Sequence, residues 1–227
     1  IIPFLEESKS LEKEKINFSK LGQGYGEIES ILLYSLIRFY KPKKVIEVGI
    51  GISTFYISKA LERNNTESQS LSDHTCIDPY VTKSFKQYFH SLNLIEKKVQ
   101  EVPLDLFNTL EDGDVLFIDS SHVAKLGSDV NFLILEVLPI LKKGIIIHFH
   151  DIPFPYLTSP INNNHFFSSS HWNETALLKS FLDFNNNYQV LMSQSMMVLE
   201  QNILNDYVNN YDKNKHYPSS LWLRKIK

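Results

Sequence analysis

Val45-Ile46-Glu47-Val48-Gly49-Ile50-Gly51-Ile52-Ser53-Thr54 decides how the chain is read. Val45–Val48 is a short apolar run carrying one carboxylate and reads as a buried strand. Two glycines follow, which let a backbone turn sharply and approach a ligand closely. Ser53 and Thr54 then open a helix, whose first N–H groups are free to meet a polar or anionic group. Strand, glycine turn and helix start together make the layout of a nucleotide-type site.

Working outward, the same alternation recurs. Upstream, Leu21-Gly22-Gln23-Gly24-Tyr25-Gly26 is glycine-rich and irregular. A helix is predicted from Ile28, with Ile31, Leu32, Ser35, Leu36 and Phe39 near one face, stopped by Lys41-Pro42. Downstream, a helix over Ser53–Arg63 leads into a polar surface insertion, Asn64–Ser70. Strands are predicted at Thr75–Ile77, Lys98–Val102, Asp114–Asp119, Ile145–Asp151, Tyr188–Met192 and Leu221–Ile226. Helices are predicted at Thr82–Leu92, Leu104–Leu110, Ser128–Leu141 and Glu174–Phe184, with a partly helical segment over Met197–Asn209. Within Ser128–Leu141, Phe132, Leu135, Leu138 and Leu141 share a side, and Pro139 bends or ends the helix. Residues 152–170 hold three prolines and two polar triplets and read as a lid-like loop. Residues 1–20 read as a weak helix or a surface arm. Strands alternating with helices imply an α/β, Rossmann-like domain, its mostly parallel sheet covered on both faces. Ligands of such sheets bind beyond the carboxyl ends of the strands. Glu47, Asp78, Asp119 and Asp151 all fall at predicted strand ends and are expected on that rim.

Size and composition narrow the function. With 227 residues the chain can bury the core of one large domain, placed here at 21–227. A net charge of −3 provides no basic field for nucleic acid. The single cysteine, Cys76, excludes an internal disulfide and a multi-cysteine zinc site. It fits a reducing, cytoplasmic setting. No run approaches the ~18 apolar residues of a membrane span. The first residue is Ile1, so a piece trimmed or cut from a longer protein is expected. A homo-oligomer is compatible with everything above.

The turn also discriminates among cofactors. The dinucleotide fingerprint G-x-G-x-x-G needs a third glycine. Here that position is Thr54, expected to crowd the helix against the strand. Glu47 would repel a pyrophosphate but could accept from a cationic amine. S-adenosylmethionine carries a sulfonium and an ammonium and no phosphate, so the turn favours it over NAD. Asp78 suits the two ribose hydroxyls of either cofactor, and an NAD-dependent oxidoreductase is the corresponding rival.

Glu47-Val48-Gly49-Ile50-Gly51-Ile52-Ser53 resembles motif I of class I S-adenosylmethionine-dependent methyltransferases. Gly22–Ile28 resembles the glycine-rich segment of catechol-type O-methyltransferases. Asp114–His122, Gly144–Asp151, Trp172-Asn173-Glu174 and Ser220–Leu223 resemble a bacterial subgroup of that superfamily, related to macrolide-sugar O-methyltransferases. The resemblance spans about residues 21–227. It implies a seven-stranded sheet with the last strand antiparallel. It places Tyr25, Gly26 and Glu27 beside the cofactor. Glu47, Gly49, Gly51 and Ser53 hold its amino-acid end, Asp78 its ribose, and Gln100 or Glu101 its adenine. In catechol-type enzymes the aspartate ending strand four binds a divalent metal, and a lysine three residues on deprotonates the acceptor. Asp119 matches that aspartate; the third residue on is His122. Their Asp-Asn pair after strand five corresponds here to His150-Asp151-Ile152, without the asparagine.

Methyl transfer to a hydroxyl needs an in-line acceptor and a way to remove its proton. His122 is the expected general base. Mg²⁺ at Asp119, His150 and Asp151 is the second device, lowering the acceptor pKa as a Lewis acid. The expected partner is thus a small-molecule or sugar acceptor, with neither nucleic acid nor membrane. Bland readings stand beside these: His122 as a structural cap, Asp151 as a turn cap, His148 or His150 as a core histidine, Trp172 as core. A zinc hydrolase built on His148-Phe149-His150 would leave the glycine turn and Asp78 without a purpose. A cofactor-binding domain without catalysis, within a longer biosynthetic protein, is the alternative from another class.

Overall fold

The structure is a computed structural model, described here for residues 1–8, 11, 21, 24–89, 92–157, 171–199, 211–212 and 216–227. In chain order the elements are Ile2–Ser8 (α1), Glu27–Tyr40 (α2), Lys44–Val48 (β1), Ile52–Ser68 (α3), Asp73–Ile77 (β2), Lys83–Tyr88 (α4) and Asn93–Ile95 (β3). Two 3₁₀ segments, Val99–Glu101 and Leu104–Thr109, precede Val115–Ile118 (β4). Asp129–Phe132 (α5) runs through a π-helical segment, Leu133–Val137, into Leu138–Ile140 (α6). Ile146–Phe149 (β5), Glu174–Leu182 (α7), Tyr188–Ser193 (β6), Gln194–Leu199 (α8) and Leu221–Lys225 (β7) complete them.

Seven strands form one sheet in the order β3-β2-β1-β4-β5-β7-β6. β1 pairs in parallel with both β2 and β4, so strand order reverses there. β7 runs antiparallel to its neighbours β5 and β6. The expected Rossmann-like, mostly parallel architecture with a reversed last strand is the one observed. Its two faces follow from the period of two along each strand. Ile46, Val48, Leu116, Ile118, Ile147 and Phe149 enter the core beneath α5, α6 and α7. Val45, Val115, Phe117, Ile146 and Trp222 enter the opposite core, beneath α2 and α3. Burying one such side chain stabilises the fold by about 1.5–3 kcal/mol.

Several expected boundaries move. The third strand is Asn93–Ile95, not Lys98–Val102; it is a three-residue edge strand whose pattern is too short to stand out. The polar stretch after Arg63 is no insertion, because α3 continues to Ser68. Asn64 explains this: it is buried, donates to the Ile37 carbonyl and accepts from Arg38. α2 is buried nearly all round, from Ile28 to Arg38, whereas Phe39 faces out. Leu135 is likewise exposed rather than sharing a side with Phe132 and Leu138. Pro139 follows the π-helical segment, and the helical run ends one residue later at Ile140, so the expected end at this proline is observed. Of the two readings of residues 1–20, the helix holds for Ile2–Ser8, whose Leu5 packs with Ile28, Ile31 and Leu32. Most of the lid-like loop (158–170) and of the segment 197–209 lies outside the described residues.

Candidate active site

The glycine turn seats the site. Gly49 has φ +82°, and a Cβ there would lie 2.1 Å from the Asp119 carbonyl oxygen. Glycine is therefore required at that position, and it locks the end of β1 against the end of β4. Gly51 is extended, and Thr54 does not crowd the helix: its hydroxyl accepts from the Gly51 N–H at 3.1 Å. Glu47 sits one residue before the end of β1, so it points to the α2/α3 face. It shares a row across the sheet with Cys76, Phe117, His148 and Trp222. Its Oε1 accepts from Ser53 (2.7 Å) and Thr54 (3.0 Å). Its Oε2 lies 2.9 Å from His74 Nε2 and accepts from Cys76 Sγ at 3.4 Å. Glu47 and Ser53, expected against the cofactor, thus face inward and shape the turn from behind.

In front of the turn lies a cleft of about 490 Å³, lined among others by Gly49, Asp78, Gln100, Asp119 and Ser120. Asp78 is fixed by the Ile50 N–H at its Oδ2 (3.2 Å) and the Tyr80 N–H at its Oδ1 (2.6 Å). Each oxygen keeps a second acceptor site for a ligand. Gln100 borders the far end, where its amide donates to the Gly127 carbonyl. Glu101 is not among the lining residues. Gly26 caps the start of α2, and Glu27 is exposed in its first turn. The Tyr25 ring stacks on His150 at 4.5 Å.

Asp119 joins this cleft to a buried chain of carboxylates and imidazoles. His122 Nε2 lies 3.4 Å and His150 Nδ1 3.3 Å from Asp119 Oδ1. Behind His122, Glu174 Oε2 sits 2.8 Å from Nδ1; behind His150, Glu29 Oε2 sits 3.3 Å from Nε2. The order is Glu29, His150, Asp119, His122, Glu174. Local structure explains each placement. The His122 carbonyl accepts from the Asn173 and Glu174 N–H groups, tying the loop after β4 to the start of α7. Ser120 donates to Glu174 as well. Glu29 projects from α2 onto Ser220, whose hydroxyl donates at 2.7 Å, and onto the Ser219 N–H at 3.1 Å. His122 and Asp151 both adopt left-handed backbone, φ 60° and 53°. Such conformations in residues other than glycine gather at functional sites.

The protonation of the chain follows from its charges. For His122, burial opposes the charged ring, but Asp119 and Glu174 outweigh it and push the pKa up to about 10. For Asp119, burial is outweighed by His150 and His122, which hold it far below the usual carboxylate range. For His150, burial is outweighed by Glu29, Asp119 and Asp151, which hold it well above neutrality. With Asp119 at Nε2 and Glu174 at Nδ1, the His122 ring offers a lone pair only when one of these two protons leaves. The arrangement therefore does not present His122 as a free general base.

Asp151 also differs from expectation. Its Oδ1 accepts from the Ser219 hydroxyl at 2.9 Å, and burial raises its pKa. Among the described residues, Asp119, His122 and His150 bring potential metal-ligand atoms within 4.8 Å of one another, without Asp151. Glu47, His74 and Cys76 form a second such group. His148 is the core histidine of the pair: it stacks on Phe117 at 4.3 Å, and burial lowers its pKa. Trp172 packs on His122 at 4.3 Å. Glu29 carried no expected role; its signal was a carboxylate set among the apolar residues that begin α2.

Comparison with known proteins agrees with this architecture. Residues 46–152 match a family described as a methyltransferase domain. An O-methyltransferase from Bacillus cereus, solved with SAH, superposes with a TM-score of 0.56 at 11% identity, over 98% of this chain and 90% of that one. The plantazolicin methyltransferase BpumL with SAH gives 0.48 at 15% identity, with the same coverage. An uncharacterised protein of Archaeoglobus fulgidus is 24% identical over 91 residues, 39% of this chain and 40% of that protein's length. The chain thus has the fold of class I S-adenosylmethionine-dependent methyltransferases. Among the described residues no helix is long and apolar enough to cross a membrane.

Proposed function

We propose that this chain transfers a methyl group from S-adenosylmethionine to a hydroxyl of a small molecule or sugar. The observation that carries the reading is the cleft itself. It opens at Gly49, at the point where strand order reverses, with Asp78 on one side and Asp119 on the other. In this reading Asp78 takes the ribose hydroxyls and Gln100 borders the adenine. Gly49 and Gly51 offer backbone to the amino-acid end, with Glu47 and Ser53 holding the turn from behind. Tyr25, stacked on His150, would border the same region together with Gly26 and Glu27. Glu47 is turned inward, so the carboxylate that disfavours a pyrophosphate is Asp119, whose side chain is 32% exposed.

The acceptor is oriented where Asp119 leaves the cleft for the histidine chain. Asp119, His122 and His150 would hold a divalent metal there. Such an ion supplies Lewis acidity to the acceptor oxygen. Without an ion, Glu174 and Asp119 keep the His122 proton in place, and the ring serves to orient the rim.

Calorimetry with S-adenosylmethionine and S-adenosylhomocysteine tests the reading, with NADH as competitor. Binding of both sulfur compounds, undisturbed by NADH, is expected. Binding of neither would remove the proposal, and tight NADH binding would replace it with an oxidoreductase.

A further inference from the structure

The resemblance to catechol-type enzymes implies Mg²⁺, a hard cation of oxygen-rich sites. The donor set of this rim does not suit it. We propose that Asp119, His122 and His150 form a two-histidine, one-carboxylate site for a first-row transition ion such as Zn²⁺, Mn²⁺, Fe²⁺ or Co²⁺. The inference deepens the function proposed above and rests on that reading for its consequence: His122 and His150 release their protons from Nε2 and Nδ1 to solvent as the ion binds, and His122 acts as a ligand, not as the base.

Four observations carry it. The first is spacing. Two ligands about 2.1 Å from one ion lie roughly 3.0–3.4 Å apart, for right-angled or tetrahedral geometry. Asp119 Oδ1 already stands 3.4 Å from His122 Nε2 and 3.3 Å from His150 Nδ1. The second is an orphan. His150 Nδ1 is buried and completes no hydrogen bond, although Asp119 Oδ1 stands 3.3 Å and Asp151 Oδ2 3.5 Å away. Such an atom is costly to leave unsatisfied and calls for a partner.

The third observation is the backing of both rings. A metal-binding histidine commonly gives its other nitrogen to a carboxylate, which fixes its tautomer and orientation. Glu174 does this for His122, and Glu29 for His150. Each carboxylate is itself anchored, Glu174 by Ser120 and Glu29 by Ser219 and Ser220. Both rings therefore turn their remaining nitrogen to the same side of Asp119. The fourth is access. The imidazoles are buried, and Asp119 alone of the three is partly exposed, towards the cleft. Three protein ligands leave coordination positions open on that side. Imidazole with carboxylate selects Zn²⁺, Mn²⁺, Fe²⁺ or Co²⁺ over Mg²⁺.

The test uses the full chain, stripped of metal by a chelator. Titration with Zn²⁺ and with Mg²⁺, followed by calorimetry, should show one Zn²⁺ per chain, bound on the order of 100-fold tighter than Mg²⁺. X-ray absorption of the Zn²⁺-loaded native chain should report two imidazoles and no sulfur, a readout that needs no variant. Glu174→Gln should weaken Zn²⁺ by about 10–100-fold while leaving the circular dichroism spectrum unchanged. Equal affinity for the two ions, fewer than two imidazoles, or sulfur from Cys76 in the shell would overturn the site. S-adenosylhomocysteine binding is measured on the same metal-free sample. Its success with no Zn²⁺ site removes this inference alone; its failure with Zn²⁺ bound removes the methyltransferase reading and keeps the metal.

Discussion

Among the described residues, two clusters of side chains could ligate a metal. Glu47, His74 and Cys76 form one; Asp119, His122 and His150 form the other. Their residue types are nearly the same, yet their surroundings are opposite. Both Glu47 oxygens are filled by Ser53, Thr54, His74 and Cys76, and the group lies wholly in the core. Asp119 reaches the cleft, and His150 keeps an unbonded nitrogen beside it. A closed set of hydrogen bonds stiffens a fold; an incomplete one that opens on a cleft is fit to receive something. The difference lies in satisfaction and access, not in composition.

The closed cluster should break hardest. Glu47→Ala leaves His74, Ser53 and Thr54 without their shared acceptor beneath the glycine turn. Removing one partner of a buried charged network costs about 3–5 kcal/mol. Denaturant unfolding should show a loss of this size, and an unchanged midpoint would mean that Glu47 does not organise the turn.

The open cluster should respond to ions instead. At a free Zn²⁺ concentration of 100 times Kd, a site present only in the folded chain adds about 2.7 kcal/mol of stability. Native protein and Cys76→Ser should both gain it in thermal melts, and His150→Gln should not. If Cys76→Ser lost the gain, the two clusters would have to exchange roles.

A smaller effect is expected where the cleft meets the cofactor. Asp78→Ala removes an anionic acceptor that also fixes the Ile50 and Tyr80 N–H groups. A hydrogen bond to a charged group is worth about 1.5–3 kcal/mol. S-adenosylhomocysteine should therefore bind roughly 10–100-fold more weakly in calorimetry. Unaltered affinity would separate Asp78 from the ribose.

The same contrast explains what could be read from the sequence. Gly49, Asp78 and Asp119 were legible because a strand end, a turn and a carboxylate are neighbours in the chain. Glu47 was misplaced by one residue of strand parity, which sends a side chain to the opposite face. The Asn93–Ile95 strand was missed because three residues carry almost no periodicity. Asp119, His122 and His150 were each singled out, but the chain that joins them was not. Glu29 meets His150 across 121 residues, and no local pattern encodes such a pairing. Protonation was hidden for the same reason: of the two carboxylates that flank His122, Glu174 is 52 residues away in the chain.

A third ionic knot extends the comparison to the N-terminus. Arg38 is buried in α2 and paired with Glu7 of α1 at 2.7 Å and Glu67 of α3 at 2.6 Å. Glu7 also accepts from Tyr34. Burial raises the Glu7 pKa, but the hydrogen bonds from Arg38 and Tyr34 outweigh it and hold the carboxyl below its ordinary 4.5. A depressed carboxylate pKa contributes stability that is complete above the unfolded value and fades as pH falls through the folded one. Glu7 is partly exposed, so solvent screening leaves the pair about 1 kcal/mol. Glu7→Gln should then melt about 2–4 °C below the native chain at pH 7. The gap should close as the pH is lowered from 4.5. A gap that persisted in acid would mean that α1 is held by Leu5 and its apolar neighbours, with Glu7 contributing shape and not charge.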